Sequence, residues 1–157
     1  MNRRIKFLLF LFLVTGQIVV NRYIDISKIN VDLLFLILVY ISVKSGFLNS
    51  ILSAAAIGII TDFLSGNIPG VFGFSRTLAA YLIRELSIYL DIRKNTFLFL
   101  LIALSLFVSN LIANIFFYFI LGYPVGLNLV FYPPLLTGLV GLLIVSPAKM
   151  KEYLDVY

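Results

Sequence analysis

Residues 96–121 read TFLFLLIALSLFVSNLIANIFFYFIL, an apolar run that contains no charged side chain. A helix rises about 1.5 Å per residue, so this run is long enough to cross the roughly 30 Å hydrocarbon core of a bilayer with some tilt. The run therefore predicts a membrane-spanning helix, and the rest of the chain is interpreted outward from it.

The composition of the whole chain agrees with that prediction. Of its 157 residues, 62% are hydrophobic and 12% are charged, whereas soluble domains are about half apolar and about a quarter charged. At about 20 residues per crossing, the length allows about six crossings joined by short loops. We therefore predict an all-α fold in which residues 1–157 form one transmembrane domain, a compact bundle of six helices.

The missing residue types narrow the possible chemistry. The chain contains no cysteine and no histidine, which excludes disulfides and thiolate chemistry and removes the usual general base and the commonest metal ligand. These absences exclude most hydrolase and metal-site designs but not every enzyme, and we expect neither enzymatic activity nor a cofactor. The net charge of +5 is explained by basic loops beside a membrane rather than by nucleic-acid binding.

Breaks in the apolar pattern delimit the six predicted helices. Charges or turn-forming residues separate them, and they cover approximately residues 5–20, 29–45, 46–64, 71–90, 96–121 and 127–147. The Pro133-Pro134 pair lies near the start of the last one. Because proline is tolerated in the first turn of a helix, we expect the regular helix to begin there, after an irregular stretch at 127–132.

Basic residues predict the orientation. With six crossings, the side that holds both termini carries most of the Lys and Arg residues, whereas the other side carries Arg22 and Lys28, with Arg76 inside a helix. Short loops rich in Lys and Arg stay in the cytoplasm, so we predict a multi-pass protein with both termini cytoplasmic. The basic residues on that side are Arg3, Arg4, Lys6, Lys44, Arg84, Arg93, Lys94, Lys149 and Lys151.

Small residues recur every four positions in the third predicted helix, as Gly46, Ser50, Ala54, Gly58 and Asp62. They share one face of a helix and let another backbone approach closely. This stripe predicts either packing within the chain or docking of a partner's membrane helix.

Asp62 and Arg76 flank the turn that follows the stripe. Both lie inside predicted helices, where charged side chains usually pair or line a cavity. The helical rise places them within about 5 Å of each other in depth, which a flexible arginine can span. We predict an Asp62–Arg76 pair that fixes the turn. In the alternative, Arg76 extends to lipid headgroups and Asp62 is hydrated.

Two amides, Asn110 and Asn114, lie one turn apart near the middle of residues 96–121. Amides at this depth seek hydrogen-bond partners. They indicate either contacts between helices or a polar substrate pocket.

The junction between the third and fourth predicted helices carries a specific pattern. Residues 58–73 read GIITDFLSGNIPGVFG: a small residue, an Asp, an apolar pair, a small-Gly turn, and a Pro-Gly before the next helix. This stretch resembles the signature of the rod shape-determining protein MreD family, with Asp62, Gly66, Pro69 and Gly70 at the matching positions. The length and the short basic N-terminus also resemble that family.

The resemblance implies a non-enzymatic subunit of the bacterial inner membrane that acts as a scaffold in the lateral cell-wall elongation complex and in rod shape determination. The implied partners are the bitopic protein MreC, the actin-like filament of MreB and the peptidoglycan-synthesis enzymes. The family also resembles the six-helix substrate-binding subunits of vitamin transporters, which implies a compact six-helix fold but not a function.

Two other hypotheses follow from the residues themselves. A membrane-embedded substrate-binding subunit of a vitamin-type transporter would line a polar pocket with Asp62, Arg76, Asn110 and Asn114. A membrane enzyme acting on lipid-linked substrates would need at least two carboxylates at one depth, where the sequence indicates Asp62 alone.

Overall fold

We describe the fold from a computed structural model that describes residues 15–16, 31–66, 68–91, 94–122 and 128–144. Within these ranges the chain is helical, with short turns and no β-strand. The helices are α1 Leu33–Lys44, α2 Phe47–Ser65, α3 Val71–Tyr89, α4 Asn95–Leu121 and α5 Asn128–Ile144. Thr15 and Gly16 are also helical, and the rest of the helix predicted at 5–20 lies outside the described residues.

The observed boundaries of α2, α3 and α4 lie within one residue of the predicted ones. The helix predicted at 29–45 differs, because Val31 and Asp32 are not helical and α1 begins only at Leu33. Asp32 is the reason: its side chain accepts a hydrogen bond from the Phe35 N–H at 2.9 Å and caps the start of the helix.

α5 begins at Asn128, one residue after the start of the predicted range 127–147, but the irregular stretch expected at 127–132 was wrong. Residues 128–132 are helical, and both Pro133 and Pro134 lie inside the helix. Each proline removes one backbone donor and crowds the preceding turn. Membrane bundles tolerate such prolines because neighbouring helices and local adjustments satisfy the freed carbonyl groups.

α1 lies at the centre of the bundle and contacts each of the other four described helices. Its side chains Leu34, Phe35 and Leu36 point in different directions, and all are buried, as expected for a helix that is hydrophobic all round. Twelve residues rise only about 18 Å, so α1 is shorter than a bilayer core. Around it, α3 packs along α2 and against α4, and α5 packs along α4.

α2 and α3 approach each other closely where they cross at Gly58. A Cβ atom on Gly58 would lie 2.4 Å from the Phe72 carbonyl oxygen and 2.5 Å from the Gly73 Cα. Ser50, Ala54 and Asp62 share this face and are buried. From Ser50 to Asp62, the stripe of small residues therefore packs within the chain, whereas Gly46 at its start is exposed.

The outer surface of the bundle is strongly apolar. Many large apolar side chains are exposed, with Phe63 at 72% and Leu143 at 84%, which is unusual for a soluble monomer. Among the described residues, α2 and α4 are long and apolar enough to cross a membrane, and α1 and Val130–Leu143 are shorter apolar helices. The number of six crossings stays a prediction.

We expect Gly58→Ala to lower the free energy of unfolding by about 1–3 kcal/mol, because its methyl group overlaps backbone atoms that cannot turn aside. Gly73→Ala is the matched control from the other side of the same contact. Its Cβ would meet the Ile59 Cγ1 at an ordinary 3.4 Å. Loss of far-UV circular dichroism during an SDS titration of detergent-solubilised protein measures both. Equal stability of the two variants would contradict the assigned helix crossing.

Candidate functional site

Buried polar side chains converge from α2, α3, α4 and α5, and Asp32 joins them from the start of α1. They form what we call the polar layer: Asp32, Asp62, Ser75, Arg76, Ser109 and Thr137. All except Asp32 are buried. Polar groups at such depth need hydrogen-bond partners, and the partners found here explain how the helices are held together.

Asp62 caps the start of α3 from the neighbouring helix. Its carboxylate accepts hydrogen bonds from the backbone N–H groups of Gly70 at 2.8 Å, Phe72 at 3.0 Å and Gly73 at 3.2 Å. The first N–H groups of a helix have no partner within the helix, and the helix dipole favours an anion at this end. Asp62 therefore supplies the hydrogen-bond acceptors for the N–H groups at the start of α3 and fixes this helix against α2.

Two glycines make this cap possible by reversing the chain between α2 and α3. Gly66, which ends α2, has φ +64°, and Gly70, which precedes α3, has φ +99°. Side chains with a Cβ rarely adopt such angles. Gly66 and Gly70 thus return the start of α3 to the carboxylate of Asp62, and a role for Pro69 in this turn stays a prediction.

The predicted Asp62–Arg76 ion pair was wrong about the partner. The Arg76 Nη2 donates to Asp32 Oδ2 instead, in an ion pair between α3 and the start of α1. Asp62 attracts the guanidinium electrostatically but is bonded to the α3 backbone. The helical rise correctly placed Asp62 and Arg76 at a similar depth. It could not show that Asp32, at the start of α1, lies closer to the arginine.

Asp32 is the residue that the sequence interpretation missed. Besides its bonds to Arg76 and to the Phe35 N–H, its own backbone N–H donates to Thr137 Oγ1 at 3.0 Å. Asp32 therefore connects α1, α3 and α5. The available signal was an Asp directly before the apolar run Leu33–Val43, which is typical of a helix N-cap. Two carboxylates, not Asp62 alone, approach Arg76.

Aromatic and hydroxyl groups complete the surroundings of Arg76. The guanidinium lies over the ring of Phe72, with 5.6 Å from Cζ to the ring centroid, and Phe72 packs edge-on against Phe117 of α4. The adjacent residue, Ser75, accepts a hydrogen bond from the Ser109 Oγ at 3.3 Å. These contacts extend the polar layer to α4.

The pattern at this junction is matched by a family model. The model for the rod shape-determining protein MreD matches residues 1–147. The chain belongs to the MreD family. No curated protein and no solved structure matches it. MreD proteins are membrane proteins that function with MreC and MreB in shape determination. Membership therefore suggests a role in rod shape determination for this chain.

A second set of polar contacts joins the opposite ends of the same helices of this MreD-family protein. Arg84 Nη1 donates to the Ser45 carbonyl oxygen at 2.6 Å, where the chain passes from α1 to α2. Ser50 donates to Ser42 at 2.8 Å, between the same two helices. Arg84 thus supplies a donor to the C-terminal end of α1, where carbonyl groups lack partners within the helix.

The two amides of α4 lie near the polar layer along the chain, since Asn110 follows Ser109 directly. Both Asn110 and Asn114 are partly buried, and Asn114 takes part in a further polar interaction. Their assignment to helix contacts or to a pocket stays a prediction. Among the described residues of this MreD-family protein, no group of three or more His, Cys, Asp or Glu side chains could hold a metal ion.

We expect Asp62→Ala to lower the free energy of unfolding by about 2–4 kcal/mol, because three N–H groups at the start of α3 lose their acceptor. Asp62→Asn retains one acceptor oxygen and loses about half as much. Asn49→Ala, at an exposed site on α2, is the control and changes little. Detergent unfolding curves compare the three, and an Asp62→Ala curve that superimposes on wild type would refute the cap.

A double-mutant cycle tests the Asp32–Arg76 pair. Asp32→Asn and Arg76→Gln each leave a partner uncompensated, so we expect each to cost about 3–5 kcal/mol. The double variant should lose clearly less than the sum of the two single losses, because neither charge then remains unpaired. Strictly additive losses would mean that the two side chains do not interact in the folded protein.

Proposed function

We propose that this chain is a non-enzymatic scaffold subunit of the bacterial cell-wall elongation complex, acting in rod shape determination and lateral peptidoglycan synthesis. The observation that carries the proposal is how the two carboxylates of the polar layer are used. Asp62 accepts three backbone N–H groups, and Asp32 accepts one N–H group and the Arg76 guanidinium. In these roles both carboxylates hold helices together. The function is then assigned to the outer surface of the bundle, which would bind partner proteins.

The geometry of Asp62 argues against the enzyme hypothesis. Two carboxylates, those of Asp32 and Asp62, do lie near Arg76. Two carboxylates at one depth are the minimum for acid–base catalysis on a lipid-linked substrate. A general acid or base, however, must reach a substrate proton, and Asp62 is fully buried and bonded to the start of α3. The family is a structural one and is not known for enzymatic activity.

We further propose the assembly and location that go with this role. The chain would form one domain of six membrane-spanning helices in the bacterial inner membrane, with both termini in the cytoplasm. The distribution of Lys and Arg in the loops supports that orientation. Its partners would be an MreC-type bitopic protein, an MreB-type filament and peptidoglycan-synthesis enzymes. The lipid bilayer is its surrounding medium.

One observation favours a second function, a membrane-embedded substrate-binding subunit of a small-molecule transporter. Arg76 is buried, and its Nε and Nη1 donors have no acceptor among the described residues. Unbonded donors inside a membrane protein are expected at a site that accepts a polar ligand.

The scaffold proposal is tested by isolating the protein with its neighbours. A photo-crosslinking amino acid is placed at Leu52 on α2 or at Leu139 on α5, both exposed, in a rod-shaped bacterium that relies on this chain. We expect at least one position to capture the MreC-type protein after mild-detergent purification, and mass spectrometry identifies it. Leu101, which is fully buried, is the control position and should capture no partner. Capture of an ATP-hydrolysing transport module, or of no protein at all, would overturn the scaffold proposal.

A further inference from the structure

The guanidinium of Arg76 is bonded on only one of its three nitrogens. It is 1% exposed, its Nη2 donates to Asp32, and Nε and Nη1 have no acceptor among the described residues. The remaining donors of a buried cation are expensive to leave unbonded, particularly where lipid surrounds the protein. Such groups usually mark a bound water, ion or ligand.

The shape of the guanidinium decides how many acceptors are required. Its donors form a rigid planar fork, in which Nη2 lies between the Nε–H on one side and the Nη1 on the other. One oxygen atom cannot accept from both free donors, because they flank the Asp32 bond on opposite sides. Two separate acceptors are needed, and the neighbouring Phe72 ring, whose centroid lies 5.6 Å from Cζ, carries no oxygen acceptor.

The charges around Arg76 indicate what kind of acceptor fits. Asp32 pairs with the guanidinium, and the carboxylate of Asp62 is bonded to the N–H of Gly73, about one turn before Arg76 on α3, so two carboxylates already lie near one cation. A further anion would be repelled by them. A neutral oxygen that can also donate a hydrogen bond fits best, because it can accept from Arg76 and donate to a carboxylate.

Asp62 is the carboxylate that can accept the hydrogen bond donated by this neutral oxygen. Its two oxygens accept three backbone hydrogen bonds, whereas a carboxylate offers about four acceptor positions. Asp62 is close enough to attract Arg76, yet no hydrogen bond joins them directly. When two polar groups attract each other without touching, a water between them is the usual link.

We propose that two ordered water molecules occupy the free edges of Arg76 and that one of them bridges Arg76 to Asp62. Asp32, Arg76 and Asp62 then form one continuous hydrogen-bonded network across α1, α2 and α3. The Asp32 side chain, which is 19% exposed, gives water a route to the site. The bridging water then has two polar partners, Arg76 and Asp62, as buried waters require.

Proton NMR of the protein in lipid nanodiscs, with ¹⁵N-labelled arginine and alanine, tests the proposal. Arg76→Lys identifies the Arg76 Nε–H signal by its disappearance. We expect a cross-peak between that N–H and water in wild type. The backbone amide of Ala80, one turn further along α3 and fully buried, should show none and serves as the dry reference. If Arg76→Lys does not fold, replacing the other arginines by lysine in turn identifies the signal by elimination.

Two results would overturn the water network. The first is an Arg76 Nε–H that lacks a water cross-peak, as the Ala80 amide does. The second is native mass spectrometry that finds a small molecule bound to wild-type protein and absent from Arg76→Gln, because that molecule would then occupy the free edges of the guanidinium. The second result would also favour the transporter function, whereas neither result bears on the capture of an MreC-type partner.

Discussion

The capping of α3 by Asp62 is the interaction on which the rest of the described structure depends. By bonding three N–H groups at the start of α3, the carboxylate fixes both the position and the direction of that helix relative to α2. The Gly58 crossing lies one turn from the cap and is held by the same geometry. The direction of α3 in turn places Arg76 beside the start of α1. There Arg76 pairs with Asp32, whose backbone N–H donates a hydrogen bond to Thr137 of α5.

Much of the helical fold could be predicted from the sequence, because apolar runs and breakers are local signals. The bounds of α2, α3 and α4 follow directly from them, and the four-residue spacing of Ser50, Ala54, Gly58 and Asp62 correctly indicated a close helix contact. Gly66 and Gly70 were correctly associated with a turn. The start of α5 was not predictable from proline alone, since the surroundings of a helix decide whether it tolerates that residue.

The polar layer was predicted only in part, for a reason that is physical rather than statistical. Asp62 and Arg76 are close in the sequence, on either side of one turn, so the helical rise was enough to predict that they lie at a similar depth. The partner of Arg76 lies 44 residues away in sequence, and Thr137 lies 105 residues from Asp32. Contacts of that range depend on how the whole bundle closes, and no local pattern encodes them. The position of Asp32 before an apolar run is typical of a helix N-cap, but this pattern predicts only where a helix begins and not an ion pair.

The long sequence separation within the polar layer has a consequence for biosynthesis. α1 is synthesised with Asp32 at its start, yet the arginine that pairs with the Asp32 carboxylate is 44 residues further on, and the threonine that accepts from the Asp32 backbone N–H is 105 residues further on. At a synthesis rate of about 5–20 residues per second, the second interval lasts roughly 5–20 s. Until then Asp32 lacks one or both of these partners. The contacts that hold the start of α1 against α3 and α5 are therefore completed only after residue 137 has been made.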